Sequence, residues 1–388
     1  MRAKQFASAL GISRVTDITL LDGVGIPVFS SVRPAAVAGS LCVNAGKGIR
    51  PIDAKVGAYM EAIEFACAEP HTSQVQIMLA TPRDVLDGGT RSDAILDFCP
   101  RAQHKFDLTH PLACTESHDI VEDRSTLVPA ELVFLPYVGQ PGTGHFGSHS
   151  NGLASGNTQQ EALLHGLLEV LERDIRSFQV VRQNSQIVRS TTLPPIVQEQ
   201  AAKIRHAGLE LSIRTLSNEF ALPCFEAVVW DPFARTPVFL NGGYGCHLHR
   251  EIALLRALTE AVQSRLSWIH GGRDDLLATF DEVSKLSPSA RSREAAARFA
   301  AHSMSGDFID YEQILERAME ARTIREALDS TLNQLLERGI RHVCCVPLTH
   351  ASESLQVVRV IVPLLEYLDQ GSHRVGPRLY ACIHNGQA

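Results

Sequence analysis

The 388-residue sequence contains no run of about 20 apolar residues, so it offers no candidate membrane span. Its first residues, MRAKQFASALGISRV, lack the apolar stretch that a secretory signal requires. It also has no basic excess: a net charge of −7 gives no long-range attraction to nucleic acid or to anionic membranes. The sequence therefore predicts a cytoplasmic protein with no nucleic-acid or membrane partner.

Cysteine is present, but not in a pattern typical of metal or redox chemistry. The nine cysteines are an odd number, and they include no C-x-x-C pair. We interpret them as buried thiols in a reducing compartment, with a catalytic cysteine as the open alternative. The pattern G-x-x-x-x-G-K-[ST] is also absent, which excludes a P-loop.

The overall composition is that of a globular protein, with 45% apolar and 20% charged residues. Strand-like and helix-like patterns mix without a steady βαβ rhythm, so we expect an α+β fold with mixed sheets and packed helices. Residues 1–388 are expected to form one unit. It would comprise an N-terminal strand and turn segment (approximately 1–45), a core (46–275), a helical insertion (276–340), and C-terminal strands with a tail (341–388).

Four local predictions concern the core. Residues 53–68 are predicted to form a helix with Asp53 as its N-cap, and residues 250–269 a second helix. ELVFLPYV, residues 131–138, is predicted to be a strand. A loop rich in Gly, Ser and Asn, residues 139–158, is expected to open into a helix that runs to about Val180.

The start of that helix, Asn157–Arg173, carries an unusual set of acids. At about 100° per residue, Glu172, His165 and Glu169 lie within about 80° of Glu161, and this stripe includes no Lys or Arg. Three carboxylates on one face repel one another unless the face is hydrated or holds a metal. The preceding loop and the helix N-terminus would suit an anion. The combination favours a site for Mg²⁺ and phosphate.

Ordinary explanations remain open for the same residues. Thr158-x-x-Glu161 is a capping box, which would account for Glu161 alone. A stripe of carboxylates is more often a solvated face than a metal site. For His165 a structural role is the simpler interpretation.

Two other predicted helices add polar groups in apolar surroundings. Glu61 and Glu64 form a pair one turn apart, and a metal shared with the first helix would stabilise them if they are buried. The helix over 250–269 has one polar stripe, with Arg265 on the opposite side; the stripe comprises Arg256, Glu260, Gln263 and Ser267. An Arg256–Glu260 surface ion pair is the alternative to a phosphate contact by Arg256.

Together these stretches resemble the YcaO family, in order from about residue 14 to 366. The family's Glu-x7-Glu-x2-Glu-Arg pattern is complete at Glu161, Glu169, Glu172 and Arg173. RALTEAVQSR (256–265) and VVRVIVPLLE (357–366) are similar to its later blocks. Two family serines are replaced, by Gly57 in the segment with Glu61 and Glu64 and by Ala154 in the segment with Asn157. We expect these replacements to remove two hydroxyls from around the nucleotide.

The resemblance implies ATP and Mg²⁺ as cofactors. It assigns Mg²⁺ to five carboxylates: Glu61, Glu64, Glu161, Glu169 and Glu172. It assigns ATP to four other side chains: Asn157, Arg173, Gln263 and Arg256. The implied reaction is phosphorylation of a peptide-backbone amide oxygen, followed by thioamide or azoline formation.

The resemblance also implies partners. The block SRVTDITLLDGVGIPVFSSVRP (13–34) resembles members that act with a TfuA-type protein, and the C-terminal LYACIHNGQA lacks the Pro-x-Pro-x-Pro tail of azoline-forming members. A substrate peptide or protein, a TfuA-like or separate leader-binding protein, and a second copy in a homodimer are the expected partners.

Two other functional hypotheses compete with this enzyme. The chain could be a non-catalytic, nucleotide-binding accessory factor for modification of a ribosomal protein or another substrate. It could also be an α+β protein whose acid stripes are simply solvated.

Overall fold

The computed structural model describes residues 2–86, 90–91, 93–102, 107–139, 143–233, 240–273, 275–277, 281, 285, 287–317, 321–368 and 374–385. Over these residues the chain forms three β-sheets and eight α-helices, which confirms the predicted α+β class.

The first sheet is antiparallel, with strands β1 (Arg14–Asp17), β2 (Val28–Val32) and β3 (Val43–Lys47) in that order. Helix α1 (Arg2–Ala9) precedes it, and α2 (Pro51–Ala68) packs on it. Helix α2 begins two residues before the predicted cap because proline fits the first turn, where its missing N–H is not needed. At Gly46 an added Cβ would lie 2.0 Å from the Ala58 nitrogen, so only glycine lets β3 approach α2 this closely.

A second sheet has the order β4–β5–β13–β14–β7, with β6 also paired to β5. Its strands are β4 (Ile77–Ala80), β5 (Leu112–Asp119), β6 (Arg124–Pro129), β7 (Leu153–Gly156), β13 (Cys344–Pro347) and β14 (Gln356–Ile361). Helix α3 (Gln159–Arg182) packs across β14 and β7. Gly166 of α3 lies against Val360, where an added Cβ would come within 2.7 Å of a valine methyl carbon.

The third sheet has the order β11–β10–β9–β8–β12. These strands are β8 (Gln186–Val188), β9 (Glu210–Thr215), β10 (Cys224–Trp230), β11 (Leu240–Cys246) and β12 (Phe308–Ile309). Helix α5 (Arg250–His270) lies against β11 and β10. Gly243 and Gly245 permit this contact, since an added Cβ would lie 2.2 Å and 2.1 Å from carbonyl oxygens of α5. Helices α4 (Pro195–His206) and α6 (Pro288–Met304) pack against β9.

Two C-terminal helices, α7 (Ile324–Glu337) and α8 (Pro377–Asn385), pack against α3. Leu379 and Cys382 of α8 form a small apolar cluster with Phe178 of α3. Arg378 anchors the same helix through an ion pair with the buried Asp174. The end of the described chain is therefore a docked helix, which the sequence did not predict.

The predicted strand over 131–138 is wrong. Only a short 3₁₀ turn, Ala130–Leu132, forms there, and residues 131–137 are buried. The Glu131 carboxylate accepts hydrogen bonds from the backbone N–H groups of Gly144, Phe146 and Gly147 at 2.7–2.9 Å, so the segment is fixed by its side chain instead of by a ladder. Pro136 also lacks the N–H that a central strand would need.

The Gly/Ser/Asn-rich segment is not a loop throughout, because its last residues form β7. Its residues 140–142 lie outside the described part of the chain. Among the described residues, no helix combines the length and the apolar character that a membrane crossing demands.

Candidate functional site

A cavity of about 800 Å³ lies between α2, α3 and α5, each of which packs on a different sheet. Seven of the nine side chains predicted to bind ATP or Mg²⁺ line it: Glu61, Glu64, Glu169, Glu172, Arg173, Arg256 and Gln263. Three helices that are far apart in the chain thus contribute side chains to one site, as the predicted nucleotide site requires.

Four carboxylates form the acidic part of the cavity; that of Glu172 is buried and the other three are half-buried. Glu61 and Glu64 come from α2, and Glu169 and Glu172 from α3. Burial raises the pKa of each of the four, and it brings that of Glu64 to about 8. The charges of Glu61 and Glu169 add to the effect on Glu64. The solvated-face alternative is therefore wrong for these four acids, and the fold holds them where a cation would relieve both desolvation and repulsion.

Hydrogen bonds orient the two acids of α2. The Ser155 hydroxyl of β7 donates to Glu64, and the Ala45 N–H of β3 donates to Glu61 at 3.3 Å. Gln263 of α5 donates its amide to the carbonyl of the same residue, Ala45, so a third element reaches this point of β3. The predicted ATP contact by Gln263 stays a prediction, since the residue lines the cavity while its amide N–H is used on the backbone.

Cationic side chains face these acids. Burial opposes the charge of Arg173, but Glu172 and Glu169 raise its pKa above the ordinary value. Lys47 of β3 forms an ion pair with Glu260 of α5. Arg273, which also lines the cavity, holds Asp275 through two hydrogen bonds of 3.0 and 2.6 Å. The site therefore offers both anion-binding and cation-binding groups.

Arg256 does not pair with Glu260, the partner that its i,i+4 spacing suggests. Its Nη2 lies 3.5 Å from Nε2 of His165, and its buried Nε has no hydrogen-bond partner. The ion pairs of the described residues join Glu260 to Lys47 and none of them includes Arg256. The predicted Arg256–Glu260 surface pair is therefore not formed, and the Arg256 guanidinium remains available to an anion.

Asn157 and Glu161 are the two predicted site residues that do not line the cavity. The Glu161 carboxylate accepts from the backbone N–H of Asn157 at 2.6 Å and of Thr158 at 3.3 Å, while Thr158 caps the helix. This is the capping box that offered the simpler explanation of Glu161. The Asn157 side chain is exposed.

The two replaced serines have different surroundings. Gly57 lines the cavity, but Ala154 is fully buried in β7 and does not. Alternation along the strand instead presents Ser155 to the cavity, where its hydroxyl meets Glu64. Ser155, and not position 154, therefore places a hydroxyl at the cavity wall.

Sequence reasoning missed Lys47, Ser155 and Arg273 as cavity residues. Lys47 follows Gly46, whose lack of a side chain brings β3 against α2, and the Gly46-Lys47-Gly48 run was the available signal. Ser155 and Arg273 had no comparable signal, because their positions depend on how the three sheets meet.

The cavity suits Mg²⁺ bound together with phosphate. Among the described residues, no three His, Cys, Asp or Glu side chains converge on one point. Such convergence is not needed, because Mg²⁺ is commonly held by one or two carboxylates plus phosphate oxygens and water. The orphaned Arg256 Nε and the four desolvated acids are the groups that a nucleotide with Mg²⁺ would satisfy.

Comparison with known families agrees with this geometry. Residues 45–366 match the model of the YcaO cyclodehydratase family, described as binding ATP and Mg²⁺. The chain belongs to the YcaO family. ATP and Mg²⁺ are therefore its cofactors, and the hypothesis of an α+β protein without a nucleotide site is wrong.

Relatives extend over almost the whole chain. An uncharacterised protein of Methanothermobacter thermautotrophicus is 36% identical over 97% of this chain and 95% of its own length. A protein described as lying in the tfuA 3′ region of Rhizobium leguminosarum bv. trifolii is 32% identical over 97% of this chain and 89% of its own. The ribosomal protein S12 methylthiotransferase accessory factor YcaO of Escherichia coli K12 is 32% identical, but over only 30% of this chain and 20% of its own.

Solved structures share the fold. YcaO from Methanopyrus kandleri, bound with AMPPCP and Mg²⁺, superposes with a TM-score of 0.75 at 25% identity, over 97% of this chain and 91% of that one. A heterocyclase in complex with substrate and cofactor gives a TM-score of 0.73 at 20% identity, over 100% of this chain and 55% of that one. The chain thus has the YcaO-type ATP-binding fold.

Proposed function

We propose that the chain uses ATP and Mg²⁺ to phosphorylate a backbone amide oxygen in a ribosomally made peptide or protein, so that a thioamide or azoline forms. The observation that carries the proposal is the cavity itself, in which four desolvated carboxylates face Arg173 and Arg256. An ATP-dependent phosphoryl transfer depends chiefly on positioning and on neutralising phosphate charge, and these are the groups for that task.

The proposed reaction has two steps. The amide oxygen attacks the γ-phosphorus of ATP, and ADP leaves. A nucleophile then adds to the amide carbon, and phosphate departs with the former amide oxygen. The nucleophile is hydrosulfide for a thioamide, or a neighbouring Cys, Ser or Thr side chain for an azoline.

Residue roles follow from the placement of the side chains. Glu61, Glu64, Glu169 and Glu172 would hold Mg²⁺, which supplies charge neutralisation on the phosphates. Arg173 and Arg256 would bind phosphate oxygens, since guanidinium groups match their geometry. Glu161 and Asn157 stay predictions from the family pattern, and we expect their contribution to be the start of α3, next to the site.

The thioamide is favoured by the relative described as lying in the tfuA 3′ region. The relative encoded near tfuA supports a TfuA-like protein as the partner that brings sulfur or substrate. A separate leader-binding protein and a homodimer remain part of the same proposal.

An accessory role is the second candidate, favoured by the name of the partial Escherichia coli relative. In that role the chain would bind nucleotide without consuming it. Purified chain with ATP, Mg²⁺, sulfide and candidate peptides, with and without a TfuA-like protein, separates the two. Peptide-dependent phosphate release with exchange of oxygen for sulfur supports the thioamide, and loss of one water supports the azoline. Bound but unconsumed ATP supports the accessory role.

Glu172→Gln tests the site in the same assay. The variant keeps the size of a buried side chain but removes a charge that we assign to Mg²⁺, so phosphate release should be abolished while the protein stays folded. Glu199→Gln, an exposed acid paired with Lys203 on α4, is the matched control and should keep full activity. Full activity of Glu172→Gln would contradict the assignment of the metal site.

A further inference from the structure

His165 of α3 lies at one wall of the cavity, facing Arg256 of α5. Its Nε2 is 3.5 Å from Nη2 of Arg256, and the backbone of Ser155 lies beside its ring. Burial, with the nearby Arg256 charge, lowers the pKa of His165 to about 3. A neutral imidazole has one N–H and one lone pair, so Nε2 accepts from the guanidinium in the tautomer that carries its proton on Nδ1.

Among the described residues, no ion pair includes Arg256. Lys47 and His247 lie close enough to lower the pKa of His165 further. The nearest acid on α5, Glu260, is paired with Lys47 instead. A neutral acceptor can fix the direction of a guanidinium without neutralising it, whereas a carboxylate would do both.

Arg256 also lies on the metal side of the cavity. Its charge acts on the carboxylates of Glu169 and Glu172, which we assign to Mg²⁺. Mg²⁺ held by these acids would neutralise the terminal phosphates, so an arginine on this side would meet those phosphates and not the nucleoside.

We propose that His165 is a positioning residue that aims Arg256 at the terminal phosphates of ATP. The proposal rests on the site assignment made for the proposed function, and it adds a residue that contributes to the choice of ATP over AMP. His165 acts through Arg256 and needs no contact with the nucleotide itself.

The test is nucleotide binding without peptide, measured by calorimetry with Mg²⁺ at neutral pH, using a non-hydrolysable ATP analogue and AMP. His165→Ala should weaken binding of the ATP analogue by about tenfold, which corresponds to losing one aimed charged contact, and of AMP by less than about twofold. His165→Gln keeps an acceptor at the end of its side chain. It should restore the affinity for the ATP analogue to within about threefold of that of the parent. If His165 had a merely structural role, His165→Ala would lower the affinity for both ligands equally.

A double-variant cycle shows whether His165 works through Arg256. Adding His165→Ala to Arg256→Met should cause no further loss, because the group to be aimed is gone. His302→Asn is the matched control, a histidine of α6 with 11% exposure that contacts Glu226 and Ser212 away from the cavity. It should change stability but leave both affinities unchanged.

Three results would overturn the positioning role: equal loss for the two ligands, additive losses in the cycle, or no rescue by His165→Gln. A parent protein that binds the ATP analogue as expected but never modifies a peptide would overturn only the proposed function. A parent that binds neither ligand would overturn both.

Discussion

Lys47 of β3 and Glu260 of α5, which are 213 positions apart in the sequence, form an ion pair at the wall of the cavity. Burial opposes ionisation of Glu260, but Lys47 and Arg173 hold its pKa below the ordinary value. Asp53, which also lines the cavity, is paired with Arg50, and this contact lowers its pKa. The four remaining cavity acids have raised pKa values: Glu61, Glu64, Glu169 and Glu172. The cavity thus contains two acids that each have their own cation and four that lack sufficient positive charge, and we expect an external metal to bind these four.

Removing one member of this ion pair should destabilise the protein more than removing both. Lys47→Met leaves Glu260 charged among other acids, and the free energy of unfolding should fall by about 1–2 kcal/mol, less than for a fully buried pair because both groups are about a quarter exposed. Lys47→Met with Glu260→Gln should recover most of that loss. Urea unfolding without Mg²⁺ or nucleotide measures both effects.

Arg325→Met provides the comparison for this prediction. Arg325 pairs with the exposed Asp329 on the surface of α7, and its loss should change the free energy of unfolding by less than about 0.5 kcal/mol. If the double variant were as unstable as Lys47→Met alone, the destabilisation would come from lost packing of the lysine stem and not from an uncompensated charge.

The Lys47–Glu260 pair also marks the limit of prediction from sequence. Helix α3 was predictable because its signals are local: the Thr158 and Glu161 cap, the leucine face and the spacing of the acids. For Glu260, the i,i+4 spacing within the helix pointed to Arg256 as the ion-pair partner, because residues four apart are neighbours on a helix surface. Packing of α5 against β11, where Gly243 permits close approach, instead brought Lys47 to Glu260 and His165 to Arg256.

The same limit applies to the fold. Mixed sheets with packed helices were predictable from short apolar runs and helical patterns, but the order of strands was not, since β13 and β14 pair with strands from the first half of the chain. Residues 131–138 were predicted to form a strand because they are mostly apolar. Its backbone is fixed instead by Glu131, through contacts to residues more than ten positions later, and no local pattern reveals them.

Ser155 and Ala154 permit a test of which position supplies the hydroxyl of the site. Ser155→Ala removes a donor that stabilises the charged form of Glu64, so the pKa of Glu64 should rise further above about 8 and the affinity for ATP with Mg²⁺ should fall by about three- to tenfold. Calorimetric titration with a non-hydrolysable ATP analogue and Mg²⁺ measures this loss.

Ala154→Ser is the matched variant in the same strand. Position 154 is fully buried, so a new hydroxyl there should lower the free energy of unfolding by about 1–2 kcal/mol without changing nucleotide affinity. Improved binding in Ala154→Ser would show instead that position 154 faces the nucleotide, and that the replacement at 154 had removed a real contact.

His165 of the cavity and His247, which follows β11, should make the free protein sensitive to mild acid. Burial, followed by Arg256, lowers the pKa of His165 to about 3 and that of His247 to about 4. Below pH about 6.5 the unfolded chain binds protons at both rings while the folded chain does not. Their contribution to stability is therefore complete above pH about 6.5 and is lost as the pH falls towards 4, by at most about 1.4 kcal/mol per pH unit for each histidine.

Urea midpoints between pH 7 and 4 should accordingly fall less steeply in His165→Gln and His247→Gln than in the parent, and least in the double variant. Glu64 and the other acids with raised pKa values act in the opposite direction over part of this range, because their stabilising contribution is present at low pH and is lost as pH rises. The contribution of the histidines is therefore obtained from the difference between the urea midpoints of variant and parent at each pH, and not from the profile of one protein. His206→Gln, at the exposed end of α4, should reproduce the parent slope. If the double variant also had the slope of the parent, neither His165 nor His247 would stay neutral in the folded protein.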